Sequence, residues 1–136
     1  MSAYISFYIK EDNQLKVHLV DYDCTSSIFN VFERYANYRN EKTLTTEILL
    51  WLEKRVREDE EDARRRMSEY AQQEELLFQC GGNDSVEEKL NALKNLNWNK
   101  RNLEEELEEI HYVAHFLQFC AEIMDGFKTI TFLFNH

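Results

Sequence analysis

The sequence predicts an α+β domain, mostly helical, in which a small three-stranded antiparallel sheet is followed by one short helix and a long antiparallel helical hairpin. Three observations carry this expectation. Segments rich in β-branched and aromatic residues stand near both ends of the chain, at 3–9, 15–20 and 129–134. An apolar seam in alternating steps of four and three runs through Leu103, Leu107, Ile110, Ala114, Leu117, Ala121 and Met124. The 136 residues contain no proline and only three glycines, Gly81, Gly82 and Gly126, so little interrupts a helix.

The first strand places Ile5, Phe7 and Ile9 on one face, and the second places Leu15, Val17 and Leu19 on one face. The polar stretch from Lys10 to Gln14 turns one into the other. A lone hairpin is marginal in water, and Ile130, Phe132 and Phe134 alternate in a segment that supplies a third strand, paired within the chain or with another subunit. After the second strand, Asp23, Thr25 and Ser26 offer N-caps to a helix carrying Ile28, Val31, Phe32 and Tyr35, which ends near residues 38–40.

A second helix is expected from about Thr43 to Phe78, with Leu44, Ile48, Leu52, Val56, Ala63, Met67, Tyr70 and Leu77 on one side. Gly81-Gly82 suit its stop, and Ser85 with Glu88 forms a capping box for the third helix. The asparagines at 91, 95, 97, 99 and 102 lower helix propensity and predict a local irregularity. At 1.5 Å per residue each arm extends about 50–60 Å. The whole chain reads as a single domain, with 1–42 and 127–136 forming sheet and short helix and 43–126 the hairpin.

The formal net charge of −10, from 16 basic and 26 acidic residues, disfavours nucleic acid and anionic membrane and favours a basic protein partner. Cys24, Cys80 and Cys120 are odd in number and form no CxxC pair, which fits a reducing compartment. Lys10, Glu11 and Asp12 break any signal-peptide core, and no apolar run nears the ~18 residues that span a bilayer. A cytoplasmic protein is expected.

Folding the hairpin about the paired glycines sets residues level when their numbers sum to roughly 165, by equal rise on both arms. The acidic run 58–62 then lies level with Leu103–Leu107, and Arg64, Arg65 and Arg66 lie level with Lys100 and Arg101. Two readings follow. The pairs Glu60–Arg64, Glu61–Arg65 and Asp62–Arg66, acid four before base, neutralise one helix face on their own. Alternatively, the acidic band of one copy meets the basic band of another, fixing register. Leu76, Leu77 and Phe78 crowd the hairpin tip and Trp98 falls off the seam, so these four either close the tip or form a docking point.

Two constellations touch on chemistry. Asp21-Tyr-Asp23-Cys-Thr25 resembles the D-x-D-x-T motif of haloacid-dehalogenase-type phosphatases, which implies Asp21 as nucleophile and Asp23 as general acid/base. The resemblance covers five residues, and the chain lacks the alternating strand–helix units and the downstream paired-Asp loop of that family. Helix capping is the simpler use of these side chains. His111 and His115 lie one turn apart beside Glu108, a spacing that can chelate a metal, although no second Glu-x-x-His supplies matching ligands. No phosphate loop, HExxH or GxSxG occurs. The sequence therefore points to a non-enzymatic, cofactor-free interaction or assembly module, self-associating as a dimer or higher oligomer through the hairpin. The alternatives are an acidic accessory protein of the phage type, which inhibits a partner by covering its basic surface, and a metal-dependent or phosphate-handling enzyme.

Overall fold

The computed structural model describes residues 2–11, 15–79 and 85–136. The turn residues expected at 12–14, the glycine pair and Cys80 lie outside them. The elements run β1 (Tyr4–Lys10), β2 (Lys16–Asp23), α1 (Ser27–Phe32), a single 3₁₀ turn (Glu33–Tyr35), β3 (Lys42–Thr43), α2 (Thr46–Gln79), α3 (Val86–Asp125) and β4 (Thr129–Asn135). The α+β architecture with a long helical hairpin is therefore present. Two compact units divide the chain, one comprising Met1–Val56 with His111–His136 and the other Arg57–Ile110. No helix among the described residues is long and apolar enough to cross a membrane.

In the first unit the sheet has the order β2-β1-β4-β3, all antiparallel. β4 pairs within the chain, along the full length of β1 from Tyr4↔Asn135 to Lys10↔Thr129. The sheet has four strands, one more than expected, because Lys42 and Thr43 pair with Phe132 and Thr131 and Leu44 N–H donates to the Ile130 carbonyl at 2.8 Å. A two-residue strand is too short to show an alternating pattern in sequence.

The register of β2 also corrects an expectation. Phe7 pairs with Val20 and Tyr8 with His18, so Leu19 is an extra residue and the alternation shifts. Val20 and Tyr22, in place of Leu19, share the face of Ile5 and Phe7. Tyr22 packs edge-on to Phe7 at 6.1 Å and to Phe116 at 5.4 Å between ring centroids. Burial followed by a hydrogen bond with Tyr112 pushes the Tyr22 phenol well above its ordinary value.

The core lies on this face. Phe7, Phe32, Phe116 and Phe132 form an edge-to-face cluster, with Phe7 5.0 Å from Phe32 and 4.8 Å from Phe116. Ile5, Ile28, Ile130 and Phe134 complete it, with Val113, Leu117 and Cys120 from α3 and Leu49, Leu52 and Val56 from α2. Burial pushes the Cys120 thiol up to about 12, so it serves as a small apolar side chain.

The opposite face carries two buried polar residues, Ser6 and Thr131, and both are satisfied. Ser6 hydrogen-bonds the Asp21 carboxylate. Thr131 Oγ1 donates to Glu41 at 2.6 Å, and Lys16 and Lys10 reach the same carboxylate at 2.8 and 3.3 Å. Burial pushes the Glu41 carboxyl up, but hydrogen bonds from Lys16, Thr131 and Lys10 outweigh it and hold the group below its ordinary value.

Local signals account for the helix ends. Ser26 Oγ accepts from Ile28 N–H at 3.2 Å, and Thr45 Oγ1 accepts from Ile48 N–H at 3.2 Å, so α2 starts at Thr46, later than Thr43. α1 stops earlier than expected, and the Asn37 side chain takes the N–H groups of Arg39 and Asn40 into a turn. Ser85 Oγ accepts from Glu88 N–H at 3.1 Å. From there α3 runs unbroken for 40 residues, without the expected irregularity, because all five asparagines point to solvent and none competes for backbone in the seam.

α3 closes in a Schellman arrangement. Phe127 N–H donates to Met124 O at 3.0 Å and Lys128 N–H to Ile123 O at 3.4 Å. The residue that must turn left-handed is Phe127, with φ 62°, while Gly126 keeps negative φ one position too early. A bulky residue there costs about 1 kcal/mol relative to glycine.

Candidate interaction surface on the helical hairpin

Within the unit Arg57–Ile110 the two helices run antiparallel, as two cross-helix ion pairs show. Arg66 forks onto Glu106 at 2.7 and 3.3 Å, and Lys100 meets Glu74. These pairs sum to 172 and 174, and the level of roughly 165 expected from equal rise does not describe them. Long side chains lean toward the N-terminus of their own helix. Arg66 therefore leans one way along the hairpin and Glu106 the other, and the tips that meet belong to residues further apart in number. Arg66 consequently meets the 104–109 acidic run, and Lys100 meets Glu74.

The charge bands are engaged within the chain. Arg64 reaches Glu60 at 2.8 Å. Arg65 reaches Asp62 at 2.5 Å and Glu69 at 3.3 Å, bypassing Glu61, and Arg66 also holds Asp62 at 3.1 Å. The hydrogen bond from Arg65, then the charges of Arg66 and Arg65, hold the Asp62 carboxyl below its usual range. These are exposed pairs, screened by solvent, and each adds little to stability. Their effect is to offset part of the acidic charge of this stretch and, through Arg66, to pin its register.

The seam itself is thin. Among the described residues of this unit only Ala63, Leu96 and Leu103 are buried apolar side chains. Leu96 and Lys100 continue the heptad rhythm upstream of Leu103, a signal hidden in the sequence by the lysine at a seam position. Leu77 is half-buried on the α2 side of the seam. Its neighbours Leu76 and Phe78 are 60% and 71% exposed, and Trp98 is 62% exposed.

Sequence reasoning missed Val86 and Leu90, which are 75% and 54% exposed. Val86, Leu90, Lys94 and Trp98 are spaced four apart, so they form a single i, i+4 ridge on α3. At about 100° per residue Val86 lies within about 20° of the seam residue Leu93, Leu90 about 60° from it and Trp98 about 140°, so the ridge winds off the seam toward the far side of the helix. The ridge itself includes Lys94, and the polar residues beside it are Asn91, Asn95, Asn97 and Asn99 together with Glu87, Glu88, Lys89 and Arg101. Exposed large apolar side chains, an aromatic one among them, are the groups enriched at interface centres.

The other candidates separate from this surface. Asp21 lies in an antiparallel edge strand, hydrogen-bonded to Ser6 and at 2.7 Å from His18 Nε2, while Asp23 accepts from Thr25 N–H and Oγ1 at 3.0 and 2.5 Å. Both carboxyls are held below their ordinary values by these bonds, Asp21 by Ser6 first and Asp23 by the Thr25 hydroxyl first. The phosphatase motif needs a parallel sheet with its aspartates at a strand's C-terminal end. Here the same residues edge an antiparallel sheet and shape a turn. His111, His115 and Glu108 are exposed on α3, and among the described residues no group of three or more His, Cys, Asp or Glu is placed to hold a metal. No family model, curated protein or solved structure matches the chain.

Proposed function

We propose that this chain is a non-enzymatic assembly module that self-associates through its helical hairpin. One observation carries the reading: the described residues of 57–110 bury three apolar side chains while leaving Leu76, Phe78, Val86, Leu90 and Trp98 more than half exposed. Most helical stability in proteins comes from packing an apolar face, and a pair of helices with so small a core lacks that support. A second copy supports it most directly. The i, i+4 ridge of Val86, Leu90 and Trp98 is self-complementary, because such ridges fit the grooves of an identical helix crossing at about −50°. Residues 86–101 hold Glu87 and Glu88 against Lys89, Lys94, Lys100 and Arg101, so two chains of net charge −10 meet least repulsion there. Glu60, Asp62 and Glu106 of the acidic band, by contrast, are engaged by the chain's own arginines, which favours assembly over charge-driven capture of a basic partner through them.

The test is sedimentation velocity over a concentration series at low and high salt, with wild type and a Leu90→Ser/Trp98→Ser variant. Apolar association persists or strengthens as salt screens the net charge, and the double variant weakens it about ten-fold or more. A wild-type chain that stays monomeric at high concentration in both salts overturns the reading.

A further inference from the structure

We infer that Phe127 and the cleft beside it form a knob and socket that joins two copies of this chain, at a surface independent of the hairpin ridge. Phe127 is 94% exposed, the most exposed large apolar residue described. It also occupies the left-handed backbone position that ends α3, where glycine is the unstrained choice and where a glycine stands one residue away. An aromatic side chain held fully in solvent by a strained backbone has no role in its own fold, and such outliers cluster at recognition sites.

Adjacent to it lies an open cleft of about 320 Å³ with a floor of Leu44, Leu49, Ala121 and Met124. Asp125 and Lys128, the residues flanking Gly126-Phe127, stand on its rim. A cavity of about 150 Å³ accepts a benzene ring, so the cleft has room for a phenyl group. Phe127 does not fill the cleft of its own chain. A knob and a hole side by side on one surface are the arrangement that a two-fold axis renders complementary, each copy's Phe127 entering the other's cleft. The rim agrees, since the axis brings Asp125 of one copy toward Lys128 of the other.

An aromatic ring buries about 150–250 Å², so two rings with their sockets stay below the ~1,200 Å² of a stable interface. The contact is therefore a weak one, seen only as concentration rises. A chain with two isologous surfaces grows beyond a dimer, which suits an assembly module.

The test uses the full chain in two backgrounds, wild type and Leu90→Ser/Trp98→Ser, each with and without Phe127→Gly. Phe127→Gly relieves the left-handed position, so the thermal midpoint at low concentration rises while self-association weakens at least about ten-fold. Opposite signs separate lost contact from lost fold. Thr46→Trp, which fills the cleft from its rim, weakens association likewise. The inference is overturned by a Leu90→Ser/Trp98→Ser background that is monomeric at every concentration, or by association indifferent to Phe127→Gly in both backgrounds. Association that survives the ridge variant and vanishes with Phe127→Gly supports it and removes the hairpin reading.

Discussion

Residues 1–56 with 111–136 and residues 57–110 are built on the same two long helices, yet different forces hold them. The first region contains sixteen of the nineteen buried apolar residues described, the second only Ala63, Leu96 and Leu103. In the first, α2 and α3 pack in a unit with a sheet whose phenylalanines interlock edge to face. In the second they have each other, two cross-helix ion pairs and an exposed ridge. The difference teaches that a heptad seam is not a core. A two-helix seam buries a narrow stripe on each helix, and without a third layer the remaining apolar surface stays in water.

The comparison predicts a hierarchy of effects. Phe7→Ala removes the ring at the centre of the aromatic cluster and should cost about 3–5 kcal/mol in urea unfolding followed by circular dichroism. A cost near 1 kcal/mol would mean that the sheet region is not the chief source of stability. Leu103→Ala should cost less, about 2–3 kcal/mol, and its effect should stay local. Hydrogen exchange by mass spectrometry should show faster exchange in 57–110 and unchanged protection in β1 and β4. In the wild type at low concentration, amides of 57–110 should already exchange at least ten-fold faster than those of β1, a gap of about 1.4 kcal/mol. Equal protection in both regions would break the contrast.

Smaller effects come from the polar clasps that each region uses. Glu41→Gln should lower stability by about 1–2 kcal/mol at neutral pH, since it weakens charge-assisted bonds from Lys16, Lys10 and Thr131. Glu41 has a folded pKa below the ordinary glutamate value of 4.5. Its contribution is therefore complete above that value and is lost as pH falls toward the lower folded one. The variant should show a shallower loss of thermal stability on acidification, and identical acid limbs would refute the clasp. The Arg66–Glu106 pair, with side chains 34% and 48% exposed, should give a coupling below about 1 kcal/mol in a double-mutant cycle, shrinking as salt rises. A larger coupling would show that charge, and not the thin seam, holds the second region together.

The expectations that met the structure were those resting on local chemistry. The β1 pattern and the β4 alternation, the Ser26 and Ser85 caps and the heptad from Leu103 to Met124 are each visible within a few turns of chain, because dihedral preference and side-chain period act over that range. The failures were non-local. Nothing in Val17-His-Leu-Val20 announces that Leu19 is an extra residue, since the bulge exists only where Tyr22 must reach Phe116. The two-residue β3 exists only because β4 is there to pair with it. Leu49 is buried where Ile48 was expected, since the root of α2 turns its face toward the core and away from an ideal stripe. Of the candidate interaction residues, Leu76, Phe78 and Trp98 could be named from their position off the seam, whereas Val86 and Leu90 could not, because exposure is a property of what fails to pack nearby.

The order of amino acids alone therefore determined the long helices, the strands β1, β2 and β4, and where the seam runs from Leu103 to Met124. Only tertiary structure decided which charges face each other across the hairpin, which strand carries the bulge, and that Phe127 in place of Gly126 takes the left-handed turn. The physical reason is one of range. Backbone preference and periodicity are set by neighbours in sequence, while register, burial and strain follow from where side chains of finite reach meet partners distant along the chain.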